Sequence, residues 1–253
     1  MKIIGVVPAR MNSTRFYGKP LYKIYGIPMI EHVFERAKMA KNLDQLVISS
    51  CDREIEEFAL NKGYNFISSS SSHERALDRV AEVGDKLKID ENDIIVNIQG
   101  DEPMLDPDFI DLVIQPIKQH PKIHATVLGM EIIDEKIWKD PDTVKIIHNN
   151  KNEVLYTSRA PIPYGKKFSK ALNAKRIFGI FGFRFSYLKA FNKMDETFLE
   201  KIESCDSNRI LDLDFKQVVV PINYQETFSV DKVEDVDLVE NFLEKDKYLS
   251  RYL

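Results

Sequence analysis

Apolar residues come in two rhythms along this chain. Short unbroken runs rich in Ile and Val, at residues 3–7, 46–49 and 94–98, suit strands buried on both faces. Between them Ile30, Val33, Phe34 and Ala37 recur at helical spacing, which predicts a helix over 29–39. Further helices are expected at 51–62, 73–86 and 107–117, and a short strand at 65–67. Such strand–helix alternation predicts an α/β fold: a mostly parallel twisted sheet flanked by helices.

Beyond residue 126 the rhythm becomes one of short strands, expected at 126–132, 144–147, 153–156, 176–185 and 218–221. A short helix is expected at 198–204 and a terminal helix at 236–249. Residues 127–182 therefore read as a mixed-strand insertion, a small lobe within a single domain spanning 1–253. Pro161, Pro163 and Gly165 make a rigid loop in it. No internal repeat and no sustained heptad is visible.

Composition narrows the classes. A net charge of −4 with no long basic run sets nucleic-acid binding aside. No apolar run reaches membrane-spanning length, and the opening Met1-Lys2-Ile3-Ile4-Gly5-Val6-Val7-Pro8 reads as a first strand, with no signal peptide expected. A cytoplasmic protein is expected, with Cys51 and Cys205 as reduced thiols. The histidines lack zinc spacing, and His32 falls inside a helix.

The loop after the first strand carries the first chemistry. Ligands of open α/β sheets bind at the carboxyl ends of strands. Residues 9–19 occupy that place, with Arg10, Arg15 and Lys19, the hydroxyls of Ser13 and Thr14, and Gly18 for close backbone approach. Forked guanidinium donors, a point charge and backbone amides suit a triphosphate, although a solvated basic loop has the same composition. The loop matches neither the dinucleotide glycine pattern nor the Walker spacing. Gln99-Gly100-Asp101-Glu102-Pro103 ends the third strand, where Asp101 suits a hard cation such as Mg²⁺ or simply a turn. Asp231, in Phe228-Ser229-Val230-Asp231, precedes a helix and suits an N-cap.

Pro8-Ala9-Arg10-Met11-Asn12-Ser13-Thr14-Arg15-Phe16-Tyr17-Gly18-Lys19-Pro20-Leu21 closely resembles the signature of the CMP-sugar synthetases. The nearest branch is the 3-deoxy-manno-octulosonate (Kdo) cytidylyltransferases. The resemblance implies a Rossmann-like nucleotide-diphospho-sugar transferase fold and transfer of CMP from CTP to a small acidic sugar, with Mg²⁺ as cofactor and a homodimer as assembly. It places the phosphates on Arg10, Arg15 and Lys19, and brings Ala9, Ser13, Asp78 and Gln99 to the nucleotide. It assigns the metal to Asp101 and Asp231, with Arg15, Lys19 and both acids as the catalytic set. Tyr17 stands where the family usually has proline. The family's third loop, Ser-Gly-Thr-Asp-Arg, becomes Glu74-Arg75-Ala76-Leu77-Asp78-Arg79. Asp78 and Arg79 then serve either the nucleotide or a helix salt link, and the form looks more like enzymes of surface-polysaccharide synthesis (lipopolysaccharide or capsule).

For the acceptor the resemblance points to Gln99, Lys145, Arg159 and Glu203, since Val154-Leu155-Tyr156-Thr157-Ser158-Arg159-Ala160 is similar to the family's Tyr-Phe-Ser-Arg-Ala stretch. Two departures stand out. The branch's His-Leu before Gly179 is Ile177-Phe178, and its Glu-Gln-Leu-Arg segment becomes Glu203-Ser204-Cys205-Asp206-Ser207-Asn208-Arg209. The acceptor set thus adds Asp206, Ser207, Asn208 and Arg209. It leaves open Kdo, 8-amino-Kdo or another surface-glycan acid, as well as a sugar phosphate met by Lys175, Arg176 and Arg209. A non-catalytic nucleotide-binding protein is expected to lack one of Arg15, Lys19, Asp101 or Asp231; all four are present.

Overall fold

The computed structural model describes the whole chain except Thr14, Glu74 and Phe228. Those three residues, named above in the first loop, the third loop and the Asp231 motif, lie outside the described residues. Two compact units divide the chain: Met1–Asp111 with Glu226–Leu253, and Leu112–Gln225.

The first unit opens with β1 (Ile3–Pro8), a small hairpin of β2 (Lys23–Ile24) and β3 (Ile27–Pro28), and α1 (Met29–Ala37). There follow β4 (Gln45–Ser50), α2 (Arg53–Asn61), β5 (Phe66–Ser68), α3 (Ala76–Leu87) and β6 (Ile94–Ile98). Its strands pair in the order β6–β1–β4–β5, all parallel. Every residue of β1 and β6 is buried, as unbroken apolar runs require. The helix expected from residue 73 starts at Ala76, because Arg75 stays extended. Side chains of α3 hold the preceding segment as a loop. Arg79 donates to Ser69 Oγ and to the carbonyls of Ser70 and His73, and Glu82 accepts from Ser70 N.

From α4 (Pro107–Gln119) the chain enters the second unit: β7 (Ala125–Glu131), α5 (Glu135–Lys139), β8 (Lys145–His148), β9 (Val154–Ser158) and β10 (Lys175–Arg184). Then come α6 (Phe185–Asn192), α7 (Phe198–Glu203), α8 (Asp206–Asp212) and β11 (Gln217–Ile222). Here pairing is mixed. β7 lies antiparallel to β10 and parallel to β11, while β8 pairs antiparallel with β10 and β9. The fold is thus the α/β, Rossmann-like class expected, with antiparallel pairing in the small β2–β3 hairpin and among the later strands. Residues 127–182 fall within this second unit.

The chain returns to the first unit in α9 (Glu234–Leu243) and a short 3₁₀ turn, Leu249–Arg251. A polar network fastens this tail. His32 Nε2 lies 2.7 Å from Ile24 O and so carries the proton, while Nδ1, 2.9 Å from Tyr252 Oη, accepts from it. Arg36 Nε donates to the same hydroxyl, and its Nη2 pairs with Asp246 at 2.6 Å. His32 is fully buried, and desolvation lowers its pKa from 6.5 to about 4.

This network predicts an acid-sensitive fold. Between pH 4 and 6.5 the unfolded imidazole binds a proton that the folded one refuses. The contribution of His32 is therefore complete above pH 6.5 and lost as pH falls toward 4, by about 3 kcal/mol. His32→Gln should flatten that part of a plot of urea-unfolding free energy against pH; a slope equal to the parent's would rule this account out.

Candidate active site

The loop between β1 and α1 is folded on itself before any ligand arrives. Met11 O accepts from Gly18 N at 2.9 Å and from Ser13 N at 3.0 Å. Met11 N donates to Asp52 Oδ2 at 2.7 Å, and Ala9 N to Ser49 O at 2.9 Å, so the end of β4 braces the loop. Gly18 has φ +75°, a conformation that costs glycine least, and it turns the chain into the 3₁₀ turn that begins at Lys19. At Gly100 a Cβ would stand 3.0 Å from Pro8 O, so the loop after β6 approaches the end of β1 only because no side chain intervenes.

Two apolar anchors bring the rest together. Phe16 and Val230 are buried in one cluster with Ile24, Met29, Val236, Val239, Leu243 and Leu249. Their chain neighbours, Arg15 and Asp231, consequently meet across 216 residues: Arg15 Nη2 donates to Asp231 Oδ1 at 2.8 Å. Lys19 Nζ donates to Asp101 Oδ2 at 2.9 Å and to Val230 O at 2.7 Å, and stands 3.6 Å from Asp231 Oδ1. Val230 N donates to Asp101 O at 3.0 Å, tying the two acidic segments directly.

Asp231 is not the helix cap that its position suggested. The N-cap of α9 is Val233, and Asp235 Oδ2 accepts from the amides of Asp231 and Lys232. Asp235 thus folds the approach to the helix back on itself, while the carboxylate of Asp231 faces Arg15 and Lys19.

These groups line one cleft together with Ala9, Arg10, Ser13 and Gln99. Arg75 and Arg79 line it too, whereas Asp78, in the first turn of α3, does not line it. Arg79 is buried and bonded to the serine loop, so it both shapes that loop and adds positive charge to the wall. Arg75 had no sequence signal as a site residue beyond its place in the third loop. Asp52, which braces Met11, had none. Tyr17 is exposed at the loop's surface.

Among the described residues no group of three His, Cys, Asp or Glu side chains converges as a metal site. A pair of acids is enough for Mg²⁺, which commonly takes one or two carboxylates and completes its shell with phosphate oxygens and water. The donor set fits on a second count: Asp101 Oδ1 is buried and makes no hydrogen bond among the described residues. Such an orphaned carboxylate oxygen is costly unless a cation meets it.

The acceptor candidates other than Gln99 belong to the second unit. Lys145 is 0% exposed and donates to the carbonyls of Asp140, Thr143 and Arg159 at 2.7, 2.6 and 2.6 Å. Burial pulls its pKa below the ordinary lysine value. Glu203 accepts from Tyr156 Oη, Ser158 Oγ and Arg159 N. Burial works to raise its pKa, but those donors outweigh it and the net shift is downward. Arg159 donates from Nε to Glu203 O and from Nη1 to Pro141 O. Asn208 is buried against Thr157, Ser207 is fully buried, and Asp206 is half-buried at the start of α8. Arg209 forks onto Glu200 at 2.5 and 2.6 Å, both side chains buried, and lies 4.0 Å over the Phe191 ring. It pins α8 to α7 and is committed there. Lys175 donates to Asn173, and Arg176 contacts Met130.

Residues 4–218 match the protein family described as Cytidylyltransferase. The 3-deoxy-manno-octulosonate cytidylyltransferase of Fusobacterium nucleatum is 35% identical over 245 residues, covering 97% of this chain and 98% of its own. The 8-amino-3,8-dideoxy-manno-octulosonate cytidylyltransferase of Shewanella frigidimarina is 33% identical over 93% of this chain and 96% of its own. A solved structure of CMP:2-keto-3-deoxy-manno-octonic acid synthetase complexed with CTP superposes with a TM-score of 0.89 at 29% identity, covering 97% of this chain and 99% of that one. The same cationic loop and paired acids thus lie in a chain that matches such proteins over nearly its whole length, and it belongs to the cytidylyltransferase family.

Proposed function

We propose that this protein transfers CMP from CTP to the anomeric hydroxyl of a small acidic sugar of the Kdo type, releasing pyrophosphate. The observation that carries the proposal is the convergence of Arg15, Lys19, Asp101 and Asp231 on one cleft beyond the carboxyl ends of β1 and β6. Five cationic side chains, Arg10, Arg15, Lys19, Arg75 and Arg79, line that cleft against two carboxylates, Asp101 and Asp231. The surplus of positive charge suits a triphosphate.

The acceptor's anomeric hydroxyl gives its proton to solvent as its oxygen attacks the α-phosphorus; the bond to the β-phosphate bridging oxygen breaks, and pyrophosphate leaves with both electrons of that bond. Arg15 and Lys19 exchange their carboxylate partners for phosphate oxygens and hold the leaving group in line. Asp101 and Asp231 would hold Mg²⁺, which when bound neutralises phosphate charge and lowers the pKa of a coordinated hydroxyl. Arg10, Ser13, Gln99 and the backbone at Ala9 complete the nucleotide site.

Arg159 is assigned to the acceptor's carboxylate, because a guanidinium matches that group and its second terminal nitrogen makes no bond within the described residues. The cations available to a phosphate-bearing acceptor, Lys175, Arg176 and Arg209, are engaged internally, which favours a sugar acid over a sugar phosphate. Relatives named for Kdo and for 8-amino-Kdo match about equally well, so both acids stand as candidates. A cytoplasmic homodimer making precursors for a surface glycan is the setting we propose; no helix of the described residues is long and apolar enough to cross a membrane.

A pyrophosphate-release screen pairing each nucleoside triphosphate with Kdo, 8-amino-Kdo, sialic-type acids and sugar phosphates tests the whole proposal. Release is expected with CTP and an octulosonate only when Mg²⁺ is present. No release from any pair would sink the enzymatic function, and release with a sugar phosphate alone would replace the acceptor. Asp101→Asn should cut kcat by at least about a hundredfold with an unfolding midpoint near the parent's; turnover within a factor of a few of the parent refutes the metal role. Arg159→Ala should raise KM for the acid by about tenfold or more, with little change in KM for CTP. Equal changes in both constants would remove Arg159 from the acceptor.

A further inference from the structure

Around Arg159 two ionised side chains are turned inward. The ammonium of Lys145 has three donors and no acceptor, and the three carbonyls it meets use all of them. One of those carbonyls belongs to Arg159 itself; the other two, of Asp140 and Thr143, flank Pro141, whose carbonyl receives Arg159 Nη1 at 2.8 Å. Glu203 holds the other end of the same residue. Its Oε2 accepts from Arg159 N at 2.8 Å and its carbonyl accepts from Arg159 Nε at 2.9 Å. Its Oε1 is taken by Tyr156 Oη at 2.6 Å and Ser158 Oγ at 2.8 Å.

Arg159 is therefore fixed at four points: its amide, its carbonyl, Nε and Nη1. Only the outer edge of the guanidinium is left to meet another group. We propose that Lys145 and Glu203 are positioning residues, which aim the Arg159 guanidinium at the acceptor's carboxylate without touching the acid themselves. This rests on the assignment of Arg159 made above. It differs from the direct acceptor contact that the sequence resemblance implied for both residues. Physically, a guanidinium held at two nitrogens surrenders little further freedom on binding, so its bond to the acid is worth more than that of a swinging side chain. A lysine that is fully buried and saturated by carbonyls has no donor to offer a ligand unless it abandons one of them.

The test is a double-mutant cycle on the full chain, read as separate KM values for CTP and for Kdo or 8-amino-Kdo, whichever the parent turns over. Lys145→Met and Glu203→Gln should each raise KM for the acid by about tenfold and leave KM for CTP within about twofold. In an Arg159→Ala background each should add less than about twofold, because the group they aim is gone. Should Lys145→Met fail to fold, Glu203→Gln, which keeps an oxygen for Arg159 N, carries the same cycle. The proposal is overturned if either substitution adds its full factor in the Arg159→Ala background, or if both KM values move together. Arg159→Ala without effect on the acid's KM overturns the acceptor assignment and this inference with it. An effect of Arg159→Ala beside inert Lys145→Met and Glu203→Gln overturns the positioning role alone.

Discussion

The cleft depends on a hydrophobic contact. Phe16 and Val230 share one buried cluster with the inner face of α9, and their chain neighbours carry the opposite charges that face the cleft. The Arg15–Asp231 pair could not organise the site unaided, since its side chains are 47% and 36% exposed and an exposed pair stabilises little. Apolar burial sets the distance, and the charges then find each other. Excluding water from Phe16 and Val230 is what makes two segments more than two hundred residues apart act as one surface.

That arrangement also explains how the protein holds three charged groups at close quarters. Lys19 lies between both carboxylates, so positive charge occupies the space where acids alone would repel. On the proposed function a metal–triphosphate complex would bring both signs at once, its cation to the acids and its phosphates to the bases. Binding would then be an exchange of partners within one set, which limits the reorganisation required when a transition state develops charge.

Much of this was legible in the sequence, for identifiable reasons. Unbroken runs such as Ile3–Pro8 and Ile94–Ile98 can only be buried strands in a chain of this type, so the parallel sheet and the loops at its carboxyl ends followed. The cationic loop was visible because its residues are contiguous. What stayed hidden was set by long-range partners. Asp231 looked like a helix cap, because nothing local reveals that the helix starts later, with Val233 as its N-cap, and that the Asp231 carboxylate is taken by Arg15. Lys145 and Arg209 looked like ligand-binding cations, because a sequence displays a charge without displaying the carbonyls or the carboxylate that consume it. The short α8 carries little periodicity in its seven residues, and the pattern passed over it.

Asp101 and Glu102 show how finely tertiary contacts divide labour that composition leaves equal. The two acids are consecutive, yet Asp101 meets Lys19 with one oxygen and keeps the other buried and unbonded, while Glu102 accepts from the hydroxyl of Ser229. Glu102 is 4% exposed, so its side chain lies inside the protein. Together with the bond from Val230 N to Asp101 O, the Ser229 contact runs residues 229–230 alongside 101–102 as a short two-rung clasp. The clasp fixes where residue 231 emerges, and so how far its carboxylate stands from that of Asp101. One acid of the pair faces the cleft because the other holds the segment that brings Asp231 to it.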